Sequence, residues 1–267
     1  MRYLFDELKE IKHKLSGKSL FLFLDCDGTL APIVDTPQQA VISPETKSIL
    51  KKLASNFKCR VAVVSGRSLA DIKEKVGIKN IIYAGNHGFE VEGPKIKHAL
   101  GVPAGYKKIL SEIKRQLEAK LRGIPGVFIE DKGFSLVMHF RLADKVQVPL
   151  IKTAFQESTI LYAVKNKIKA REGKKIFEVI PPLRWDKGKI VLWLLARQQA
   201  LAGNKKIIPI YLGDDVTDED AFKAIKMSGL TVFVGQAGPS LAKYYLRDVA
   251  EVRVFLQYIL DMVGQKN

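Results

Sequence analysis

The chain has 267 residues, of which 47% are hydrophobic and 27% charged, and these are ordinary values for a soluble globular protein. This length allows one large domain or two modest ones, each able to bury a core. Its apolar runs fall short of the roughly 20 residues that span a bilayer, and acids occupy the N-terminus where a signal peptide would be basic. We expect a cytoplasmic protein with no membrane partner. The two cysteines, both in or beside predicted buried strands, argue against a disulfide scaffold.

The formal net charge is +16, from 44 Lys and Arg against 28 Asp and Glu. Such an excess of positive charge indicates the kind of binding partner rather than the fold. Nucleic acid and anionic small molecules are both compatible with it. Residues 104–184 hold 17 of the basic and 8 of the acidic side chains. The basic residues are dispersed, without a recognition module or a basic stripe interleaved with aromatic residues. We therefore expect no nucleic-acid partner, and a basic nucleic-acid-binding protein is a distant alternative.

Helices and apolar strands alternate at both ends of the chain. The elements predicted before residue 100 are a helix over 3–15, a strand over 20–24, a helix over 44–57, a strand over 60–64, a helix over 68–76 and a strand over 80–85. Those predicted after residue 185 are a helix over 187–202, a strand over 206–212, a helix over 218–227, a strand over 231–235 and a helix over 251–262. This alternation predicts an α/β fold with a doubly wound, Rossmann-like parallel sheet.

The middle of the chain follows a different pattern. A turn-rich stretch at 101–105 indicates a domain boundary, and Pro181-Pro182 marks the return. Between them the predicted elements are a helix over 106–121, strands over 127–130 and 135–140, a helix over 144–157, and strands over 159–164, 167–170 and 175–179. We expect a core of residues 1–103 and 185–267, with an inserted α+β domain at 104–184 that has an antiparallel sheet.

One apolar stretch, Leu20–Leu24, shows no alternation and ends directly in Asp25-Cys26-Asp27-Gly28-Thr29-Leu30. This pattern predicts a buried parallel strand that delivers two carboxylates into a loop. Ligands bind beyond the carboxyl ends of strands in open α/β sheets, so Asp25 and Asp27 are candidate site residues. Gly28 supplies the backbone freedom to turn away from the strand. Asp and Gly also favour ordinary surface turns, which is the competing interpretation of this motif.

Two further core strands end in polar residues that converge on the same edge. These residues are Ser65, Gly66, Arg67, Asp214 and Asp215. Lys187 begins the helix that precedes the last of these strands. Phosphoryl transfer needs a nucleophile, neutralisation of the equatorial oxygens and a proton for the leaving oxygen. A carboxylate can be that nucleophile if a cation lies beside it, and clustered carboxylates favour Mg²⁺ over zinc.

The same motifs resemble those of the haloacid-dehalogenase-like phosphatases. Asp25–Leu30 resembles motif one of that superfamily, Ser65 motif two, Lys187 motif three and Gly213-Asp214-Asp215 motif four. Four longer segments are similar, in order, to the trehalose-6-phosphate phosphatase family: Asp27-Gly28-Thr29-Leu30-Ala31-Pro32, Val64-Ser65-Gly66-Arg67, Gly85-Asn86-His87-Gly88-Phe89-Glu90 and Gly213-Asp214-Asp215-Val216-Thr217-Asp218-Glu219-Asp220-Ala221-Phe222. The resemblance covers essentially the whole chain.

The resemblance implies a role for each core residue. Asp25 is expected to attack phosphorus, and Asp27 to protonate the leaving sugar oxygen and then deprotonate water. Asp25, the backbone carbonyl of Asp27, and Asp214 are expected to hold Mg²⁺. Ser65 and Lys187 are expected to hold phosphate oxygens.

Neighbouring residues are expected to support this site. They are Gly66, Arg67, Asp215 and Asp218, and the two aspartates would orient the others or bind the metal through water. Two simpler interpretations stay open. In the first, Arg67 serves only a structural ion pair; in the second, Ser65 only caps the helix that follows it.

The resemblance also implies that 104–184 is a type-two cap domain that closes over the core site. Charged residues of this segment are the expected sugar contacts, with Asn86 and His87 at the substrate mouth; the cap residues are Glu130, Lys132, Arg141, Lys175 and Glu178. His87 is otherwise an ordinary polar turn residue, and lysines near a sheet edge often only discourage aggregation. We expect His139, like His13 and His98, to be solvated or structural.

The expected function is Mg²⁺-dependent hydrolysis of trehalose 6-phosphate to trehalose and phosphate through an aspartyl-phosphate. The alternative is a related phosphatase that acts on sucrose phosphate or mannosyl-phosphoglycerate. The intact acids and Lys187 argue against an inactive regulatory relative. We expect a small-molecule sugar phosphate as the partner and favour a monomer.

Overall fold

The computed structural model describes residues 1–173, 175–203 and 205–264, except for the side chain of Pro37. The chain divides into two compact units. The first consists of Met1–Ala99 with Trp185–Asn267, and the second of Leu100–Arg184. The second unit thus begins at Leu100, whereas the sequence predicts a start at 104.

The helices and strands follow one another in three groups. The first is β1 (Arg2–Tyr3), α1 (Leu8–Leu15), β2 (Ser19–Leu24), α2 (Pro44–Ser55), β3 (Cys59–Val64), α3 (Leu69–Val76), β4 (Ile82–Gly85), β5 (Glu90–Gly93) and β6 (Ile96–Ala99). The second unit holds α4 (Tyr106–Lys120), β7 (Phe128–Asp131), β8 (Leu136–His139), α5 (Val148–Val164), β9 (Lys169–Gly173) and β10 (Ile176–Ile180). The chain then returns through α6 (Lys187–Ala202), β11 (Ile207–Gly213), α7 (Glu219–Ile225), β12 (Leu230–Val234), β13 (Tyr244–Leu246) and α8 (Val249–Gly264).

The sheet of the first unit has the strand order β1-β13-β12-β11-β2-β3-β4-β5-β6. Neighbouring strands from β1 to β4 are parallel, and β5 and β6 complete one edge as antiparallel strands. From β2 the chain proceeds outward through β3 and β4 on one side, and β11, β12 and β13 occupy the other. Strand β2 therefore lies at a topological switch point, where ligands of such sheets bind beyond the carboxyl ends.

Strand β2 is buried on both faces, which explains its unbroken apolar sequence. Leu20, Leu22 and Leu24 belong to the apolar layer shared with α1, α2, α3 and α8. Phe21 and Phe23 belong to the opposite layer, which includes side chains of α6 and α7. Successive side chains of a strand point to opposite faces, so one strand anchors both cores. No helix in the described ranges combines the length and apolarity that crossing a bilayer requires.

The second unit is an α+β unit with its own core. Its four strands form an antiparallel sheet in the order β7-β8-β10-β9. Helices α4 and α5 contribute Leu110, Ile113, Ile151 and Phe155 to an apolar cluster with Met138 of the sheet. The doubly wound core and the separate antiparallel sheet confirm the predicted fold class.

The predicted strand at 159–164 is wrong, because α5 continues to Val164. Its β-branched and aromatic residues favour a strand when taken alone. In the structure, however, Ile151, Phe155 and Thr159 share the buried face of the helix. The Thr159 hydroxyl donates to the carbonyl of Phe155 at 2.8 Å, which satisfies it within the helix. Packing against the sheet therefore outweighs local β propensity.

The chain also contains short strands that periodicity did not predict. The predicted helix at 3–15 begins only at Leu8, since Arg2 and Tyr3 pair with β13 and a 3₁₀ turn follows. Strands β5, β6 and β13 are three or four residues long. Their pairing depends on a neighbouring strand edge rather than on their own sequence pattern.

The central strand provides a test of this core. Leu22→Ala removes a fully buried side chain and is expected to lower the free energy of unfolding by about 2–5 kcal/mol, from lost burial and a cavity. Val254 is 52% exposed on α8, and Val254→Ala is expected to cost about 0.5 kcal/mol or less. Urea unfolding followed by circular dichroism measures both variants. Equal losses would contradict the assignment of β2 as the anchor of both layers.

Candidate active site

The carboxyl ends of the central strands carry the polar residues of the first unit. Asp25 follows β2, Ser65 follows β3, and Asp214 follows β11. Lys187 is the first residue of α6, whose N-terminus is capped by Asp186 through a hydrogen bond from the Lys189 amide. Asp25, Ser65 and Asp214 therefore lie at the edge of the sheet formed by the carboxyl ends of its strands. Lys187 lies at the N-terminus of the helix that precedes β11.

A buried lysine joins two of the acids. Lys187 Nζ donates to Asp25 Oδ1 at 2.9 Å and to Asp218 Oδ1 at 2.7 Å. All three side chains are buried, and Lys187 is only 3% exposed. Burial alone lowers the pKa of Lys187, but Asp218 and Asp25 outweigh that effect and raise it above its ordinary value. The lysine is therefore a fixed cation at neutral pH.

Asp25 shows the opposite balance. Burial raises the pKa of the Asp25 carboxyl well above its ordinary value, while Lys187 lowers it and Asp218 and Asp214 raise it further. Asp25 and Asp218 thus share one buried lysine, and Asp214 lies near enough to act on Asp25. Such a group holds more negative than positive charge, and an additional cation would stabilise it.

Asp218 has its oxygens occupied by protein donors. Oδ1 accepts from Lys187 and from the Tyr211 hydroxyl at 2.6 Å. Oδ2 accepts from the backbone amides of Asp214 and Asp215 at 3.1 and 3.0 Å. Asp218 therefore fixes the loop after β11 and the lysine in one arrangement, and it is a support rather than an open ligand.

Gly28 allows the loop after β2 to lie against Asp214. Its φ is +81°, a conformation that L side chains rarely adopt. A Cβ at this position would lie 2.2 Å from Asp214 Oδ2, far inside contact distance. Residue 28 must therefore be glycine for the two acidic loops to approach one another.

The acidic group fits a divalent cation. One carboxylate oxygen from each of Asp25, Asp214 and Asp218 lies within 4.8 Å of the others. All of the donors are oxygens, which Mg²⁺ prefers, and the Gly28 contact leaves room for the Asp214 carboxylate beside the first loop. Because Asp218 is occupied by four donors, Asp25 and Asp214 are the carboxylates suited to the ion.

Arg67 forms ion pairs with two acids, Asp27 and Asp71. Its Nε and Nη2 donate to Asp27 Oδ2 and Oδ1 at 2.6 and 2.7 Å, and Nη1 donates to Asp71 Oδ2 at 2.7 Å. The arginine is buried, whereas the Asp27 side chain is 40% exposed. The first two bonds form a bidentate pair that fixes the orientation of the Asp27 carboxylate. This arrangement corresponds to the ion-pair interpretation of Arg67.

Two backbone turns form one surface beside this pair. The amides of His87 and Asn86 donate to the carbonyls of Ser65 and Arg67 at 2.9 and 2.7 Å. Asn86 Nδ2 donates to Glu90 Oε2 at 2.7 Å. A Cβ on Gly66 would lie 2.8 Å from the His87 ring, so the imidazole lies directly over this glycine. The predicted residues Ser65, Gly66, Asn86 and His87 are thus brought together.

The second unit groups several predicted sugar contacts on one sheet face. Glu130 and Glu178 are both paired with Val137, so the three residues form a row across β7, β8 and β10. Two strand spacings separate the acids, which is about 10 Å. Lys132 Nζ lies 3.9 Å from Glu130 Oε2. Arg141 and Lys175 are exposed outside this row, Arg141 after β8 and Lys175 at a left-handed position before β10.

The family model described as "Trehalose-phosphatase" matches residues 23–250. The chain belongs to the trehalose-phosphatase family. "Trehalose-phosphate phosphatase B" of Arabidopsis thaliana is 34% identical over 264 residues, covering 94% of this chain and 69% of that protein. The C. albicans trehalose-6-phosphate phosphatase C-terminal domain has a TM-score of 0.81 at 26% identity, covering 97% of this chain and 98% of that chain. The predicted family resemblance is confirmed.

The fold of this trehalose-phosphatase family member is also similar to that of a protein named for the haloacid dehalogenases. A haloacid dehalogenase-like hydrolase from Bacteroides thetaiotaomicron has a TM-score of 0.64 at 17% identity, and the match covers 91% of this chain and 100% of that chain. At this identity the likeness concerns the fold alone. The fold agrees with the superfamily assignment made from the motifs.

Some residues of the candidate site in this trehalose-phosphatase family member were not predicted from the sequence. Tyr211 lies within the apolar run of β11, and no pattern signals that its hydroxyl binds Asp218. Asp71 lies four residues after Arg67 on α3, a spacing that can indicate a helical ion pair. Both residues hold other side chains of the site in place.

Lys187→Met provides a test of the buried ion pairs. We expect it to lower the free energy of unfolding by about 3–5 kcal/mol, because buried Asp25 and Asp218 lose their shared cation. The acids are expected to respond by binding protons in the folded state at higher pH than in the unfolded state, so stability falls as pH rises. The deficit should therefore be larger at pH 8 than at pH 5. Urea unfolding in the presence of a chelator measures it.

Lys189→Met is the matched control, since Lys189 lies on the same helix with a 44% exposed side chain. We expect it to cost less than about 1 kcal/mol. A Lys187→Met variant as stable as this control would contradict the role given to the buried lysine.

Proposed function

We propose that this protein is a Mg²⁺-dependent phosphatase that hydrolyses trehalose 6-phosphate to trehalose and phosphate. The names of its relatives supply the substrate, and membership of their family supports the activity. The observation that carries the proposal is the Asp25 carboxylate held by Lys187 at the switch point of the sheet, with Asp214 close by. A carboxylate so held can approach a negatively charged phosphate.

Asp25, Asp214 and the backbone carbonyl of Asp27 are the groups proposed to hold Mg²⁺. When bound, the ion supplies positive charge that offsets the acids and the phosphate oxygens. Lys187 supplies the second positive charge beside Asp25 and keeps its Oδ1 in place at 2.9 Å.

In the first chemical step, Asp25 Oδ2 forms a bond to phosphorus while the bond from phosphorus to the sugar oxygen breaks. Asp27 donates its proton to that oxygen, so that trehalose leaves as a neutral alcohol. The product on the enzyme is an aspartyl-phosphate. Oδ2 is the attacking atom in this proposal because Oδ1 is engaged by Lys187.

In the second step, Asp27 takes a proton from a water molecule whose oxygen attacks phosphorus. The bond from phosphorus to Asp25 breaks, and inorganic phosphate is released. Asp27 thereby regains the proton that it gave away. The bidentate pair with Arg67 is proposed to orient the ionised Asp27 carboxylate for this second step, in which it takes the proton.

Ser65, Lys187 and the amide of Gly66 are proposed to bind the phosphate oxygens. Ser65 Oγ accepts from the Arg67 amide at 3.1 Å, which leaves its proton for an anion. Asp215 and Asp218 support the loop through their capping bonds. The residues proposed to bind the sugar hydroxyls are Asn86, His87, Glu130, Lys132, Arg141, Lys175 and Glu178.

A phosphate-release assay tests the substrate. We expect kcat/KM for trehalose 6-phosphate to exceed that for glucose 6-phosphate, sucrose phosphate and mannosyl-phosphoglycerate by at least about tenfold, the value of one well-placed hydrogen bond. Asp25→Asn should lower turnover by at least about 1,000-fold, because the amide is a poor nucleophile. Asp261→Asn, an exposed change on α8, is the control and should retain full activity.

Equal turnover of all four substrates would overturn the preference for trehalose 6-phosphate and favour a broad sugar-phosphate phosphatase. An Asp25→Asn variant as active as the unchanged protein would overturn the mechanism itself.

Gly28→Ala tests the metal proposal. The added methyl group would displace the Asp214 carboxylate, so we expect the Mg²⁺ concentration for half-maximal activity to rise at least about tenfold. Titration of phosphate release against Mg²⁺, after removal of metal with a chelator, measures the change. Gly17→Ala is the matched control, because Gly17 also has a positive φ but has nothing within 4 Å of an added Cβ. Full turnover in excess chelator would exclude the metal requirement.

A further inference from the structure

His139 lies on the face of the second sheet that is turned away from helices α4 and α5. Successive side chains of β8 point to opposite faces of the sheet, and Met138, the residue before His139, belongs to the apolar cluster with the helices. In the strand register His139 is directly opposite Phe128 on one side and Ile176 on the other. It is thus next to the row that contains Glu130 and Glu178.

The imidazole is held by two kinds of contact. Its Nε2 lies 2.9 Å from Glu130 Oε2, within hydrogen-bonding distance. Its ring stacks on that of Phe128, with centroids 4.3 Å apart and planes 8° from parallel. The His139 side chain is only 14% exposed, whereas that of Glu130 is 34% exposed. A largely enclosed ring therefore binds one oxygen of a partly accessible carboxylate.

These contacts restrict the side chain of Glu130. A glutamate side chain has three rotatable bonds, and fixing them when a ligand binds costs free energy. The bond from His139 fixes one oxygen before any ligand arrives, and Lys132 lies near the same oxygen at 3.9 Å. Because each carboxylate oxygen can accept more than one hydrogen bond, a Glu130 side chain fixed in this way can also accept from a hydroxyl group.

We propose that His139 is a positioning residue that orients Glu130 for recognition of a sugar hydroxyl. The inference rests on the proposed function, since it assigns to this bond a part of the affinity for the disaccharide. His139 itself need not touch the substrate. It acts through Glu130, and Phe128 keeps its ring in the required plane.

A double-mutant cycle tests this role. His139→Ala and Glu130→Gln should each raise KM for trehalose 6-phosphate about tenfold, with kcat within about twofold, because substrate affinity and not the chemistry is changed. In the Glu130→Gln background, His139→Ala should add less than about twofold, since the residue that it positions is already altered. p-Nitrophenyl phosphate has no sugar, and its kcat/KM should stay within about twofold in His139→Ala.

Two further variants separate positioning from a merely structural role. His139→Gln places an amide nitrogen near the position of Nε2 and should restore most of the lost affinity. Phe128→Leu keeps the hydrogen-bonding ring but removes the stack, and an intermediate rise in KM is expected. These two variants also carry the test if His139→Ala does not fold. His98→Ala is the control, because His98 lies in the other unit, with its ring centroid 5.2 Å from that of Trp193.

The results distinguish this inference from the proposed function. A wild-type enzyme that hydrolyses p-nitrophenyl phosphate but not trehalose 6-phosphate would overturn the proposed substrate and the inference with it. A wild-type enzyme that hydrolyses both, with KM unchanged in His139→Ala, would overturn only the role of His139. Losses that multiply in the double variant, or an equal loss with p-nitrophenyl phosphate, would also overturn it.

Discussion

The buried lysine between Asp25 and Asp218 is the interaction on which the arrangement of the site depends. Lys187 begins α6, Asp25 ends β2, and Asp218 follows the loop after β11, so one ammonium group joins three elements distant in sequence. Taking three charged side chains out of water is costly unless their hydrogen bonds are satisfied. Asp218 satisfies its share through Tyr211 and two backbone amides. The acids and the lysine therefore hold one another in place.

The topology of the sheet explains why these groups meet. Strand β2 lies between β3 and β11 in the sheet, although the whole second unit lies between β3 and β11 in the sequence. Parallel neighbours deliver their carboxyl ends to one edge, so residues such as Asp25 and Asp214 become adjacent although almost 200 residues separate them. Leu24 and Leu212 are paired in the sheet, and this register places the residues that follow them side by side. A one-residue slip would exchange the two faces of β2 and expose the leucine layer to the wrong helices.

Sequence reasoning was most successful where the local pattern and the tertiary structure agree. Unbroken apolar runs identified β2, β3 and β11, and polar residues at their ends identified the acids. It failed at 159–164, where β-branched residues lie in a helix because Thr159 and its neighbours face a core. It also did not predict the hydrogen bond from the Tyr211 hydroxyl to Asp218 or the pairing of Arg67 with Asp27. Both contacts depend on residues that only folding brings close together. The contact of His139 with Glu130 is similar, because only the register of β7 and β8 brings these residues together.

Acidic side chains outnumber basic ones in the core site. Arg67 has its Nε, Nη1 and Nη2 donors on Asp27 and Asp71, so its positive charge is already matched by acids. The charge of Lys187 is likewise offset by Asp25 and Asp218. Asp214 and Asp215 add further acidic groups beside these pairs. A phosphate monoester would bring further negative charge to a group in which acids already outnumber bases. Repulsion at these short distances is large in a buried site, and the charges of Arg67 and Lys187 are already offset by acids. The divalent cation proposed above would offset this charge and allow a phosphate to approach Asp25.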